Sequence, residues 1–168
     1  MSASFFVSDT HFGHANILTF ENNGVKERPG FSCVEEMDET MVDNWNRVVR
    51  EHDRVYHLGD VVMNRRCLSI MDRLNGKKVL IKGNHDIFPL KDYVKHFEDI
   101  RAYKVFPALG IICSHIPVHP DQLSGRFKLN FHGHLHRRKL DDQRYVNLCV
   151  EHWNYTPVTL EQILESLK

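Results

Sequence analysis

The chain of 168 residues balances 22 Lys plus Arg against 22 Asp plus Glu, with 42% apolar and 26% charged side chains. That is the composition of one ordinary globular domain over 1–168, and its zero formal charge advertises neither a nucleic-acid nor a membrane partner. Twelve histidines are the excess, and imidazole is the commonest transition-metal ligand in proteins.

Cys33, Cys67, Cys113 and Cys149 lie far apart, without zinc-knuckle or redox spacing, so reduced thiols in a cytoplasmic protein are expected. No basic leader precedes Phe5-Phe6-Val7, and no apolar run reaches the ~18 residues of a membrane span.

Phe5-Phe6-Val7 reads as a buried first strand that delivers Ser8-Asp9-Thr10-His11-Phe12-Gly13-His14. In extended backbone, residues i and i+2 point to one side, so Asp9 and His11 can grip one ion. Asp9 as the cap of a helical piece from His14 to Phe20 fits the same residues. Residues 21–33 are polar and turn-rich, a surface loop. From Ser32, the apolar positions Val34, Met37, Met41, Trp45, Val48 and Val49 recur at helical steps and form a core-facing stripe.

Val55-Tyr56-His57-Leu58 is the next strand, ending in Gly59-Asp60, where a glycine lets the backbone come close to whatever the acid faces. A weak helical pattern over 61–76 closes at Asn75-Gly76. Arg65 and Arg66 near its start are solvated charges or contacts for an anionic substrate. Val79-Leu80-Ile81 then leads into Gly83-Asn84-His85-Asp86, an amide oxygen, an imidazole and a carboxylate in one short loop. Asn and Asp alone would pass as turn residues.

A short helical piece spans 90–97, and Ala102–Phe106 with Leu109–Cys113 form a hairpin-like pair of strands. The second strand ends in Ser114-His115. His119 reads as a solvated loop residue. Phe127–Phe131 alternates apolar and polar and runs into His132-Gly133-His134-Leu135-His136, where three imidazoles around a glycine give a metal signal. Arg137-Arg138-Lys139 adds positive charge beside it. Tyr145–Val150 is a strand, and Thr159 caps a last helix with Leu160, Ile163, Leu164 and Leu167 on its apolar face.

Asp9, His11, Asp60, Asn84, His85, His115, His134 and His136 thus all fall at strand ends, and ligands of layered α/β folds bind outside the carboxyl ends of strands. Oxygen and imidazole donors without cysteine suit Mn, Fe, Zn, Ni or Co. Seven of these eight as ligands are too many for one tetrahedral ion and suit two ions sharing a carboxylate. Such a pair, about 3.5–4 Å apart, holds a water as hydroxide and orients a phosphate for in-line attack. A nearby histidine outside the ligand set then suits protonation of the leaving group.

The order Asp9-x-His11, Gly59-Asp60, Gly83-Asn84-His85-Asp86, Ser114-His115, Gly133-His134-x-His136 resembles the calcineurin-like metallophosphoesterases, most of all their short bacterial and phage members. The resemblance implies an α/β fold, a two-layered sandwich of mixed β-sheets flanked by helices, with a dinuclear centre at the strand ends. It assigns Asp9, His11 and His136 to one metal, and Asn84, His115 and His134 to the other, with Asp60 bridging. His85 becomes the proton donor and Asp86 the residue that orients its ring. Many members have Gly before the fourth-block His and another His after it. Here the block reads Cys113-Ser114-His115-Ile116-Pro117, a departure that touches the surroundings of the ligand rather than the ligand itself.

The expected activity is hydrolysis of phosphate esters, diesters ahead of monoesters, with two divalent ions, Mn first. Nucleotides or a nucleic-acid end are the expected substrates, and Arg65, Arg66, Arg126, Arg137 and Arg138 are candidates to grip them. A metal hydrolase acting on an amide is a further reading. So is a non-catalytic metal-binding interaction module of the same fold, but such relatives typically lose ligand residues, and here every position is filled.

Overall fold

The computed structural model describes residues 2–168. Its frame is two mixed sheets laid face to face. The larger has strand order β11-β1-β4-β5-β6, from Val158–Thr159, Ser4–Val7, Arg54–His57, Lys77–Ile81 and Asp99–Arg101. The smaller is β10-β9-β8-β7, from Tyr145–Asn147, Leu129–His132, Ile111–Ser114 and Tyr103–Phe106. β1, β4, β5 and β6 run parallel, as do β8, β9 and β10; β11 and β7 are antiparallel edges. The architecture is the two-layered α/β sandwich with helices outside.

Strand alternation builds two cores from one run of apolar residues. Phe6, Tyr56, Val79 and Ile81 face inward to meet Ile111, Cys113, Phe131 and Val146 of the other sheet. Phe5, Val7, Val55 and Leu80 point the opposite way, onto Met37, Met41, Val42 and Trp45 of helix α1, Val34–Val48. A parallel strand buried on both faces reads as a continuous apolar run, which is why β1 and β5 show no polar alternation.

Several local expectations are corrected. The segment after His14 forms only a 3-10 turn, Ala15–Leu18, with no side-chain cap from Asp9. Residues 65–73 are likewise a 3-10 helix. The polar loop over 21–33 contains a small hairpin, β2 (Glu21–Asn22) with β3 (Val25–Lys26), and then buries Arg28 completely. The helical piece after Pro89 is α2, Leu90–Tyr93. The chain then forms β6 in the large sheet and crosses at Ala102 to start β7 in the small one. At the end of the chain, Thr159 and Gln162 form the capping box of α3, Leu160–Glu165.

Parallel order brings the ends of β1, β4 and β5 to one edge and those of β8 and β9 beside them. The two rims are stitched together by a bridge between Ser8 and Cys149 and by the bond from the Val150 N–H to the Ser8 carbonyl.

Candidate metal centre

At this joint rim the ligand atoms of Asp9, His11 and His136 lie within 4.8 Å of one another, and so do those of Asp9, Asp60 and His115. Asp9 belongs to both groups. Asp60 is also shared in space: its Oδ2 is 3.6 Å from His11 Nε2 and 3.3 Å from His115 Nε2.

The backbone reaches this geometry by a route that i, i+2 spacing in a strand does not describe. Asp9, His11, Asp60, His134 and His136 all have positive φ, between 48° and 69°. Left-handed backbone at five non-glycine residues is uncommon, costs about 1–3 kcal/mol each, and persists only where the surroundings over-determine it. Each pair therefore converges through two left-handed residues and not through an extended strand. Amides pointing away from the site hold the turns, with the Asp9, His11 and Phe12 N–H groups donating to the carbonyls of Gly59, Asp60 and Val61.

Close approach explains the glycines. A Cβ on Gly133 would strike Ser8 Oγ and Asp9 Oδ2, and one on Gly83 would strike Asp60 Oδ1. Gly59, at φ 98°, lies against the backbone of Gly83.

The donor atoms are poised for a cation. Asp9 Oδ2 accepts from Ser8 Oγ, the His134 N–H and Cys149 Sγ, while its Oδ1 is buried without a partner among the described residues. Both ring nitrogens of His11 are likewise buried and unpaired. A buried polar atom left unsatisfied costs about 1–3 kcal/mol, and an ion bound by Asp9 Oδ1 and one ring nitrogen of His11 would satisfy two of these three. His115 Nδ1 bonds the Leu58 carbonyl at 2.7 Å, and His136 Nδ1 bonds Glu151 Oε1 at 3.0 Å. In each ring the second nitrogen, Nε2, is thereby turned toward the carboxylates.

The field has the same sign. Burial opposes ionisation of Asp9, but the imidazoles of His11, His115 and His136 outweigh it and hold the carboxyl far below its usual range. Burial alone would lower His115, yet the Asp60 and Asp9 carboxylates lift it to about 9. The rim thus attracts positive charge, whether a proton or a metal.

The remaining expected residues sit around this nucleus. Asn84 Oδ1 is 2.8 Å from His115 Nε2, and the His134 ring centroid is 5.3 Å from that of His115. The exposed His85 has its ring centroid 5.7 Å from that of His11, and its N–H is tied to Asp60 Oδ1. Asp86 does not orient the His85 ring. Its buried oxygens accept the backbone N–H groups of Asp60, Val61 and Gly83, strapping the loops after β4 and β5 together. His132 points away, its ring against Tyr145. Arg65 pairs with Asp92 at 2.8 Å and, with Arg66, lines a groove that contains none of the seven proposed ligands. Arg137 and Arg138 remain exposed beside His136.

Sequence reasoning missed the support behind His136. Arg28 donates to Glu151, to the Thr10 carbonyl and to the Asp9 carbonyl, with both its side chain and that of Glu151 fully buried. Burial pushes the Glu151 carboxyl up, but the Arg28 guanidinium and the His136 bond outweigh it and leave it below its ordinary value. An arginine in a turn-rich stretch and a glutamate after a strand carry no local sign of this pairing.

Fold and site together define a class: a two-layered α/β sandwich whose strand ends carry clustered His and Asp ligands for a dinuclear metal centre. No protein-family model matches the chain. It is 35% identical to the uncharacterized protein MJ1445 of Methanocaldococcus jannaschii, over all of this chain and 93% of that one. The chain belongs to the family of that archaeal protein. An alignment of 91 positions, covering 51% of the chain, is 34% identical to the gene 66 protein of Mycobacterium phage L5 and spans 41% of it. The crystal structure of a protein of unknown function from Aquifex aeolicus is similar over the full length of both chains, with a TM-score of 0.77 and 26% identity.

Proposed function

We propose that the protein is a calcineurin-like metallophosphoesterase that hydrolyses phosphate esters, diesters in preference to monoesters, on nucleotide-like substrates. The observation that carries this reading is the buried, unpaired Asp9 Oδ1 and His11 ring within a cluster completed by Asp60, His115 and His136. Asp9, His11 and His136 would hold one ion, Asn84, His115 and His134 the other, with Asp60 between them. Two divalent ions, Mn first among Mn, Fe, Zn, Ni and Co, would supply Lewis acidity and an activated water.

The chain's own residues do the rest. The backbone bond from His85 to Asp60 keeps its exposed imidazole next to the cluster, where it can give a proton to the departing oxygen. Asn84 supplies a neutral oxygen donor beside His115, and Arg137 and Arg138 can neutralise phosphate charge at the open side. No helix among the described residues is long and apolar enough to cross a membrane, and all four cysteines are free, which supports a cytoplasmic setting.

The test is hydrolysis of a chromogenic phosphodiester and its matching monoester by chelator-stripped protein, before and after Mn²⁺ is restored. Metal-dependent turnover with diester preference is expected. His85→Ala should lower it about 10²–10⁴-fold with the metal content unchanged. Turnover unaffected by His85→Ala would remove the assigned acid, and absence of metal binding would remove the whole reading.

A further inference from the structure

Next to the ligand set stands an imidazole to which no role has been given. The His14 ring centroid lies 5.6 Å from that of His11, and His11 in turn stacks on His136 at 5.2 Å. The His14 ring is half-buried, its Nδ1 lacks a partner, and no hydrogen bond engages either ring nitrogen among the described residues.

The loop that carries His14 is built to hold it there. Gly13 has φ 73°, has no room for a Cβ against Cys67 Sγ, and gives its N–H to Asp38 Oδ2 at 2.9 Å. The His14 N–H donates back to the His11 carbonyl, and the His14 carbonyl accepts from Ile17, which is buried in the core beneath. Phe20 meets the ring edge-on, with centroids 5.5 Å apart. A solvated surface histidine needs none of this scaffolding. A side chain that must meet a ligand in one orientation does.

Building on the phosphoesterase reading, we propose that His14 is a further substrate-contacting residue, donating a hydrogen bond to a phosphoryl oxygen from the His11 side of the site. Phe20 is the positioning residue that holds its ring. His85 and His14 then approach the phosphoryl group from separate loops, one from the end of β5 and one from the end of β1.

The experiment is titration of the metal-loaded protein with inorganic phosphate, in parallel with diester kinetics and metal analysis, on wild type, His14→Ala and His14→Gln. His14→Ala should keep its metal and weaken phosphate about 10–100-fold, the range for one hydrogen bond to a charged group. The loss should appear in kcat/KM for the diester as well. His14→Gln keeps an N–H donor and should recover part of the phosphate affinity. Unchanged phosphate affinity in His14→Ala, or loss of metal from it, would overturn the proposal, the latter by making His14 a support for His11. Failure of wild type to bind phosphate or turn over would instead defeat the phosphoesterase reading, and this proposal with it.

Discussion

Asp60 Oδ2 stands 3.3 Å from His115 Nε2, although the two residues follow strands of different sheets. The Asp60 carboxylate is therefore, with that of Asp9, a group through which both sheets contribute to one site. Its other oxygen is committed to the His85 N–H, so it cannot turn away without disturbing the Asn84-His85 loop. Asp60→Asn keeps the shape and removes the charge. The expected outcome is loss of metal from both positions, with affinity reduced by more than the ~10–100-fold that changes outside the ligand shell cost. Elemental analysis after gel filtration checks it, and retention of two ions per chain would show that Asp60 is not shared.

The Arg28–Glu151 pair is buried on both sides and leads to His136. Glu151→Gln leaves the Arg28 charge buried without its counterion, which costs about 3–5 kcal/mol. For a domain of this size that is a fall of roughly 6–20 °C in Tm. Metal affinity should fall about 10–100-fold as His136 loses its orienting carboxylate. Calorimetry and metal titration read the two effects separately.

Gly133→Ala tests the close approach at the rim. The added methyl would press on Ser8 and on the Asp9 oxygen that accepts the His134 N–H. Overpacking of this kind costs about 1–3 kcal/mol. Because the displaced group is a proposed ligand, metal affinity should suffer more than folding does. A variant that melts early yet binds metal as tightly as wild type would contradict this.

Asp38 has a carboxyl raised to about 6 by burial, partly offset by its bond to the Gly13 N–H. A raised carboxyl is harder to ionise in the folded chain than in the unfolded one. The penalty is absent below the ordinary value of 3.8, grows from there to about 6, and is complete above that. Asp38→Asn retains an acceptor for Gly13 and cannot ionise. Its Tm should exceed that of wild type at pH 8, with the advantage vanishing as pH falls below 4. Thermal melts across that range decide it, and an advantage independent of pH would point to a cause other than ionisation.

The large elements of the fold were legible because burial writes itself into local sequence. The double-faced runs Phe5-Phe6-Val7 and Val79-Leu80-Ile81, the helical stripe from Val34 to Val48 and the Thr159 capping box each follow from side-chain periodicity or end chemistry. β6 escaped because only neighbouring strands, and no pattern of its own, give Asp99–Arg101 its pairing. Arg28 escaped for a similar reason, since a polar loop reads as solvated until its charged partner is known.

The sequence by itself determined which groups could meet: carboxylates, an amide and imidazoles at the ends of successive strands, without a thiolate among them. Only the tertiary structure decided how they meet. Parallel pairing within each sheet set the strand ends on one rim, and left-handed backbone at Asp9, His11, Asp60, His134 and His136 turned their side chains inward. It also separated neighbours that look alike in sequence, leaving Asp86 to strap loops, Arg65 to pair with Asp92 and His132 to face Tyr145. Hydrogen-bond partners and burial are properties of residues far apart in the chain, and they come into being only when the two sheets close.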